Sequence, residues 1–312
     1  VNTSLRTSFP TARRAGRAAR RGRPSQPWLV GAAMVAPSLL VFLGFVAVPV
    51  VVVALTSLTH WTGFELGDIS WAGIDNYSGL VGDPIFWKAF RQTLIFTIGT
   101  TLLLNLVGFG LAHLVNTRVR GSGFLKAVLF LPVLMSPVIV GLMWSNLLRG
   151  SGGGLNELLS ALGIIHDPIF FLGDPNYALA AVIVATVWQF AGYDMILYYA
   201  GLQGVPDTLL EAAALDGASR WGTIRHVVLP SLYPVMSVVV LLNVIGGLRV
   251  FDVVYVMTRG GPDRHTEVLA TYMYEQGFSL NAMGMASAIA MVIVVLAVTF
   301  SVIRMRGARR AG

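Results

Sequence analysis

The chain has 312 residues, of which 55% are hydrophobic and 12% charged, with a formal net charge of +7 and a mean hydropathy of +0.71. This balance excludes a soluble globular protein and makes the lipid bilayer the solvent in which most of the chain folds. The chain has no cysteine, which excludes a disulfide framework and a thiolate metal site.

An arginine-rich stretch, residues 1 to 27, comes first and carries Arg6, Arg13, Arg14, Arg17, Arg20, Arg21 and Arg23. A nucleic-acid arm or an organellar targeting sequence has this composition. The adjacent apolar run accounts for the charge more simply, because basic residues flank the cytoplasmic end of a span. Long apolar blocks then fall at 29 to 57, 92 to 116, 124 to 148, 177 to 201, 233 to 257 and 282 to 303. Each meets the roughly 20 residues that cross about 30 Å of hydrocarbon as a helix. The prediction is an all-α polytopic membrane protein with six transmembrane helices, the first over 28 to 57.

Between the spans, residues 58 to 91 form an external segment with turn signals at Gly67-Asp68 and Gly82-Asp83-Pro84. A second external stretch, Arg149 to Pro175, has apolar residues at Leu155, Leu158, Leu159 and Leu162, the spacing of a short amphipathic helix. Its glycine run, Gly150 to Gly154, interrupted only by Ser151, lacks the Gly-Lys-Ser/Thr of a phosphate loop and reads as a flexible turn. Residues 304 to 312 close the chain as a basic tail.

Six spans place 16 of the 22 basic residues on one side, against five basic and ten acidic residues on the other. The positive-inside rule then makes both termini cytoplasmic, together with the loops carrying Arg118, Arg120 and Lys126 and Arg220 and Arg225. Arginine outnumbers lysine 20 to 2, as in a GC-rich bacterial gene, so the expected location is a bacterial cytoplasmic (inner) membrane.

The stretch "EAAALDGASRWGTIRHVVLP", residues 211 to 230, is mostly polar within an apolar chain. Pro206 and Asp207 suit a helix start, Leu209 to Leu215 are good helix formers, and Gly217 stops the helix. Ser219 caps a second short helix running through His226. The product is a helix-turn-helix elbow whose small surface, Ala212, Ala213 and Ala214, admits a closely approaching partner. A plain interhelical connection needs far fewer residues.

Catalytic signatures are missing. The five histidines show no i,i+4 pairing, no Gly-x-Ser-x-Gly elbow occurs, and neither lysine completes a nucleotide-binding loop. The chain reads as a non-enzyme, and any ATP it depends on must be held by another subunit.

Glu211-Ala212-Ala213, then Gly217, then Val227-Val228-Leu229-Pro230 resembles the Glu-Ala-Ala signature of permease subunits in binding-protein-dependent ABC importers, with valine in place of isoleucine. The stretches "GLQGVPDTLLEAAALDGAS", "VFDVVYVMTRGGP", "TYMYEQGF" and "WAGIDNYSGLVGDPIFWKAF" resemble the carbohydrate-uptake branch, in the class of the maltose-transporter permeases. The resemblance implies the type I importer permease fold, with a permease core over 92 to 303 and a coupling loop over 204 to 230. It implies that Glu211, Ala212, Ala213, Asp216 and Gly217 meet an ATPase subunit. It also implies a second homologous permease, two ATPase subunits that hold ATP and magnesium, an external substrate-binding protein and a sugar or oligosaccharide as cargo. No cofactor, metal or nucleic acid is expected on this chain.

Polar side chains inside apolar spans mark the substrate pathway. The candidates are Trp188, Gln189, Tyr193 and Asp194 in the fourth span and Asn243, Arg249 and Asp252 in the fifth. Trp188 lies about 16 Å and Asn243 about 15 Å along their helices, near the midplane. An aromatic ring for a sugar face and amides for its hydroxyls make Trp188, Gln189 and Asn243 the leading set. The alternative is that Trp188 packs and the amides bridge helices. Arg249 either pairs with Asp252 three residues on or stands free to receive a phosphate, which keeps glycerol phosphate or a glycerophosphodiester as an alternative cargo. An ion-coupled secondary transporter using Asp194 and Asp252 is a further reading, but it leaves the elbow unexplained.

Overall fold

The computed structural model describes residues 27–116 and 121–311. The arginine-rich stretch before Pro27, Arg118 and Arg120 lie outside the described residues. The chain divides into two compact units, Val1–Val51 and Val52–Gly312.

In the first unit, α1 (Pro27–Phe42) runs through a π-turn, Leu43–Ala47, and α2 (Val48–Thr56) continues past the division. Residues Gly31–Thr56 form one uninterrupted apolar helix long enough to span.

The second unit begins with a small hairpin, β1 (Thr59–His60) antiparallel to β2 (Ser70–Trp71) in the register Thr59↔Trp71, followed by α3 (Asp75–Gly82). Asn76 Nδ2 donates to the carbonyls of Ser57 and Thr59 at 2.8 and 2.9 Å, tying α3 to the end of the first span. The Asp83 carboxylate accepts from Ile85 N at 2.8 Å and starts α4 (Pro84–Asn116). That helix begins within the expected external segment, eight residues before position 92. Lys88 and Arg91 interrupt the apolar block there without interrupting the helix.

The third span is broken rather than continuous. α5 (Ser122–Phe130) passes into a 3₁₀ turn, Leu131–Leu134, and α6 (Pro137–Leu147) leaves it at 96°. Pro132 and Pro137 each remove a backbone donor, and Met135 and Ser136 are extended between them. α7 (Gly154–Ala161) is the expected short amphipathic helix: Leu155 packs inward while Leu158 and Leu162 are exposed. Buried Asn156 anchors it, donating to the carbonyls of Arg149 and Ile169 and accepting from Ile169 N, all within 3.0 Å.

Next come α8 (Pro175–Gln203), the elbow helix α9 (Asp207–Leu215) and α10 (Arg220–Thr223). A π-turn, Ile224–Val228, and α11 (Leu229–Ser231) lead to α12 (Tyr233–Leu248), which bends away by 72°. The expected fifth span, 233 to 257, also breaks at Arg249–Phe251 before α13 (Asp252–Thr258). α14 (Leu269–Tyr274), a π-turn (Glu275–Ser279) and α15 (Met283–Ala311) complete the described chain. Among the described residues, four helices are thus long enough and apolar enough to cross a membrane alone, and up to six spans result if each bent pair counts as one.

Three apolar clusters succeed one another along α4. Phe86 and Ala89 join Leu269 and Ile289; Phe96 joins Val182, Ala185 and Val254; Ala112 and Val115 join Met195, Tyr198 and Leu232. Close crossings depend on small residues, as expected where lipid supplies no hydrophobic drive between helices. A Cβ on Gly108 would stand 2.5 Å from Asp194 Cβ, and one on Gly192 would stand 2.1 Å from the Leu129 carbonyl oxygen.

Candidate functional site

A cavity of about 460 Å³ opens between α4, α8, α12 and the start of α13. It lies within the size range of small-molecule sites. Gln189, Tyr193, Asn243, Arg249 and Asp252 all line it, so the structure brings together five of the seven polar candidates from the spans, leaving out Trp188 and Asp194. Trp188 is placed elsewhere. It stands edge-on to Trp144, ring centroids 6.0 Å apart, in a separate hollow bounded by α6 and Gly154. Neighbouring helix residues point about 100° apart, and the cavity takes Gln189 and Phe190 on one side of that turn while Trp188 falls on the other.

Both amides bridge helices while facing the cavity. Gln189 Nε2 donates to the Met135 carbonyl at 2.9 Å, satisfying an acceptor orphaned by the break between α5 and α6. Asn243 Nδ2 donates to Asp194 Oδ2 at 2.6 Å. Asp194 is 1% exposed and does not line the cavity; it joins α8 to α12 through that bond.

Arg249 and Asp252 form no ion pair, and neither has another charged partner among the described residues. The i,i+3 alternative required one continuous helix. The break puts Arg249 outside α12 at φ −106, ψ 13, and puts Asp252 in the first turn of α13, where a carboxylate suits the positive helix end. Both side chains are exposed at the cavity.

Sequence reasoning passed over Thr100, Thr186, Phe190 and Phe251, which also line this space. Hydropathy does not mark such residues. Each threonine hydroxyl donates to the carbonyl four residues back, at 2.7 and 2.8 Å, and so fits an apolar helix. Their helical spacing was the available signal: Thr186, Gln189, Phe190 and Tyr193 form one stripe, and Asn243, Gly246, Gly247 and Val250 form the facing one.

The elbow takes the expected form. Pro206 is the N-cap of α9 at φ −62, ψ 130, and Asp207 opens the first turn. At the other end Ala218 N donates to Ala213 O at 2.9 Å and Gly217 N to Ala214 O at 3.1 Å, the paired bonds of a Schellman motif. Gly217 adopts φ +73, which that motif requires. Ser219 Oγ then accepts from Gly222 N at 3.1 Å and starts α10. No residue of α9 is buried. Glu211, Ala212, Asp216 and Gly217 are exposed, Ala213 is half-buried, and Leu215 and Trp221 add exposed apolar surface. Among the described residues, no three His, Cys, Asp or Glu side chains are grouped to hold a metal ion.

The inner membrane component of binding-protein-dependent transport systems matches residues 105–309. The chain belongs to this family. It is therefore a membrane permease subunit of an ABC transport system, a transport component rather than an enzyme. It is 32% identical over 280 residues to the trehalose/maltose transport system permease of Thermococcus litoralis, covering 90% of this chain and 94% of that one. It is 32% identical over 279 residues to the lactose transport system permease of Rhizobium radiobacter, covering 88% and 92%. Among solved structures, a bacterial ABC transporter involved in import of the acidic polysaccharide alginate superposes with a TM-score of 0.77 at 26% identity, over 91% of this chain and 96% of that one. The methionine transporter MetNI shares the fold, with a TM-score of 0.54 at 16% identity. The permease thus has the type I importer fold expected from its elbow signature.

Proposed function

We propose that the permease carries a sugar or oligosaccharide into the cytoplasm by ATP-driven alternating access. It would act with a second homologous permease, two ATPase subunits and an extracytoplasmic binding protein. The observation that carries the reading is the elbow: α9 buries none of its own residues and presents Glu211, Ala212 and Ala213 ahead of a fixed glycine turn. Leu210 fastens this helix to the apolar cluster around Met195 and Leu232, while the rest of its surface is left open, as a docking element requires. Seated on an ATPase, it transmits closure of the nucleotide sites to α8 and α12, the two helices that flank it and line the cavity. Tyr193 and Phe190 supply aromatic faces there, and Gln189 and Asn243 supply amides, a set suited to a sugar. The relatives whose names specify trehalose, maltose and lactose support the same class.

In this reading the elbow side is cytoplasmic, as the basic residues flanking the spans favour. The unpaired Arg249 in the cavity favours a second cargo, glycerol phosphate or a glycerophosphodiester, carried by the same machinery. The test is uptake into proteoliposomes by the chain alone and by the assembled complex. Uptake of maltose, trehalose or lactose only by the complex, and only with ATP on the ATPase side, is expected. Uptake of glycerol phosphate alone moves the cargo to the phosphate class. Uptake by the isolated chain on an ion gradient makes it a secondary transporter instead.

A further inference from the structure

Four aromatic rings form a cluster at the start of α13 and the end of α14, three of them in mutual contact and the fourth beyond, and the cluster borders the membrane cavity on one side. Phe251 lines the membrane cavity and stacks on Tyr255, with centroids 5.1 Å and planes 18° apart. Tyr274 lies 5.3 Å from Phe251 and 5.1 Å from Tyr255, and Phe278 lies 5.1 Å beyond Tyr274. Two i,i+4 pairs supply the cluster, one at the start of α13 and one running from α14 into the π-turn after it.

These rings are not core. None belongs to the three apolar clusters, none is buried, and Phe278 is 66% exposed. The hydroxyls of Tyr255 and Tyr274 have no partner among the described residues, whereas neighbouring Tyr272 donates to Asp83 and accepts from Gln276. Tyr255 and Tyr274 also wall a second cavity of about 500 Å³, whose other walls include Arg259, Arg264, Glu267 and Glu275. Arg264 forks onto Glu275 at 2.6 and 2.8 Å and reaches Glu267 at 3.2 Å, so the polar wall is held in place.

Flat apolar faces beside fixed donors and acceptors are what a pyranose requires, since it offers a C–H face and a rim of hydroxyls. A partner helix laid on the same rings would cover the charged wall as well, at a desolvation cost. We propose that Phe251, Tyr255, Tyr274 and Phe278 form a carbohydrate track that passes sugar rings from the second cavity to the membrane cavity. The proposal rests on the sugar-import reading above.

The test is uptake of radiolabelled maltose, trehalose, lactose and maltotriose by the full complex with its binding protein in proteoliposomes, comparing wild type, Tyr274→Leu and Tyr274→Phe. Leucine keeps apolar volume without a flat face. Tyr274→Leu is expected to lower uptake of the transported sugar about 2- to 10-fold, the range that the loss of one aromatic contact implies, while Tyr274→Phe stays within about twofold of wild type. Wild-type uptake by Tyr274→Leu overturns the track and leaves sugar import standing. Loss of the second permease from purified Tyr274→Leu complex, with Tyr274→Phe intact, also overturns it by placing the rings against that subunit. If the wild-type complex moves none of these sugars, the sugar reading fails, and the track fails with it.

Discussion

Gly217 has no atom within 4 Å of where a Cβ would stand, yet its φ is +73. Substitution there strains the backbone without a clash, by about 1 to 2 kcal/mol for an ordinary residue and more for a β-branched one. Gly217→Val is expected to leave the complex assembled and to lower the sugar moved per ATP hydrolysed several-fold, measured as the ratio of uptake to phosphate release. Normal uptake by a well-expressed variant contradicts the role of this turn. Asn243 makes a different case, because it is the hydrogen-bond partner of Asp194, which is 1% exposed. Asn243→Leu leaves that carboxyl buried without a donor, so a loss of about 1.5 to 3 kcal/mol is expected. A melting temperature equal to wild type in the purified complex would mean that another group satisfies Asp194. Residues of this kind were legible in the sequence because a polar side chain in an apolar span demands a reason. Thr100, Phe190 and Phe251 were not, since nothing in their hydropathy separates a cavity wall from a lipid face.

The elements followed from apolar length, and their breaks did not. Met135 and Ser136 prolong an apolar run, so the 96° turn between α5 and α6 is invisible to a hydropathy window. Pro132 and Pro137 were the available sign, and Gln189 across the interface satisfies the freed Met135 carbonyl. A similar break after α12 separates Arg249 from Asp252 and decides between the two alternatives the sequence left open, an ion pair or a free arginine, in favour of two unpaired cavity charges. The loop between α13 and α14 carries a testable charge. Glu267 is 5% exposed, and burial raises its pKa above the ordinary 4.5, outweighing the opposing effects of the Thr271 hydrogen bond and Arg264. Between the unfolded and folded values, the folded state therefore retains a proton that the unfolded chain has released. Stability contributed by that proton is present below 4.5 and lost as pH rises through the folded value. The melting temperature of wild type minus that of Glu267→Gln is expected to fall as pH rises above 4.5 and to level off once the folded value is passed. A difference that stays flat across this range would show that Glu267 titrates alike in both states.

At the scale of the molecule, the chain joins a membrane cavity to an exposed elbow on the two ends of the same helices, α8 and α12. Neither part acts alone. The cavity has no source of energy among the described residues, and the elbow has nothing of its own to bind, so the fold makes sense as one subunit of a larger transporter. The sequence disclosed this division of labour because the elbow signature is local and continuous. It left the cavity less complete, because its walls come from four helices far apart in the chain. The most direct measurement is ATPase activity of the purified complex in nanodiscs, with its binding protein, across maltose, trehalose, lactose and glycerol phosphate. Stimulation by one of the sugars, abolished by Gly217→Val, is expected. Hydrolysis that proceeds at one rate whatever the sugar, and is indifferent to Gly217→Val, would contradict a sugar importer driven through this elbow.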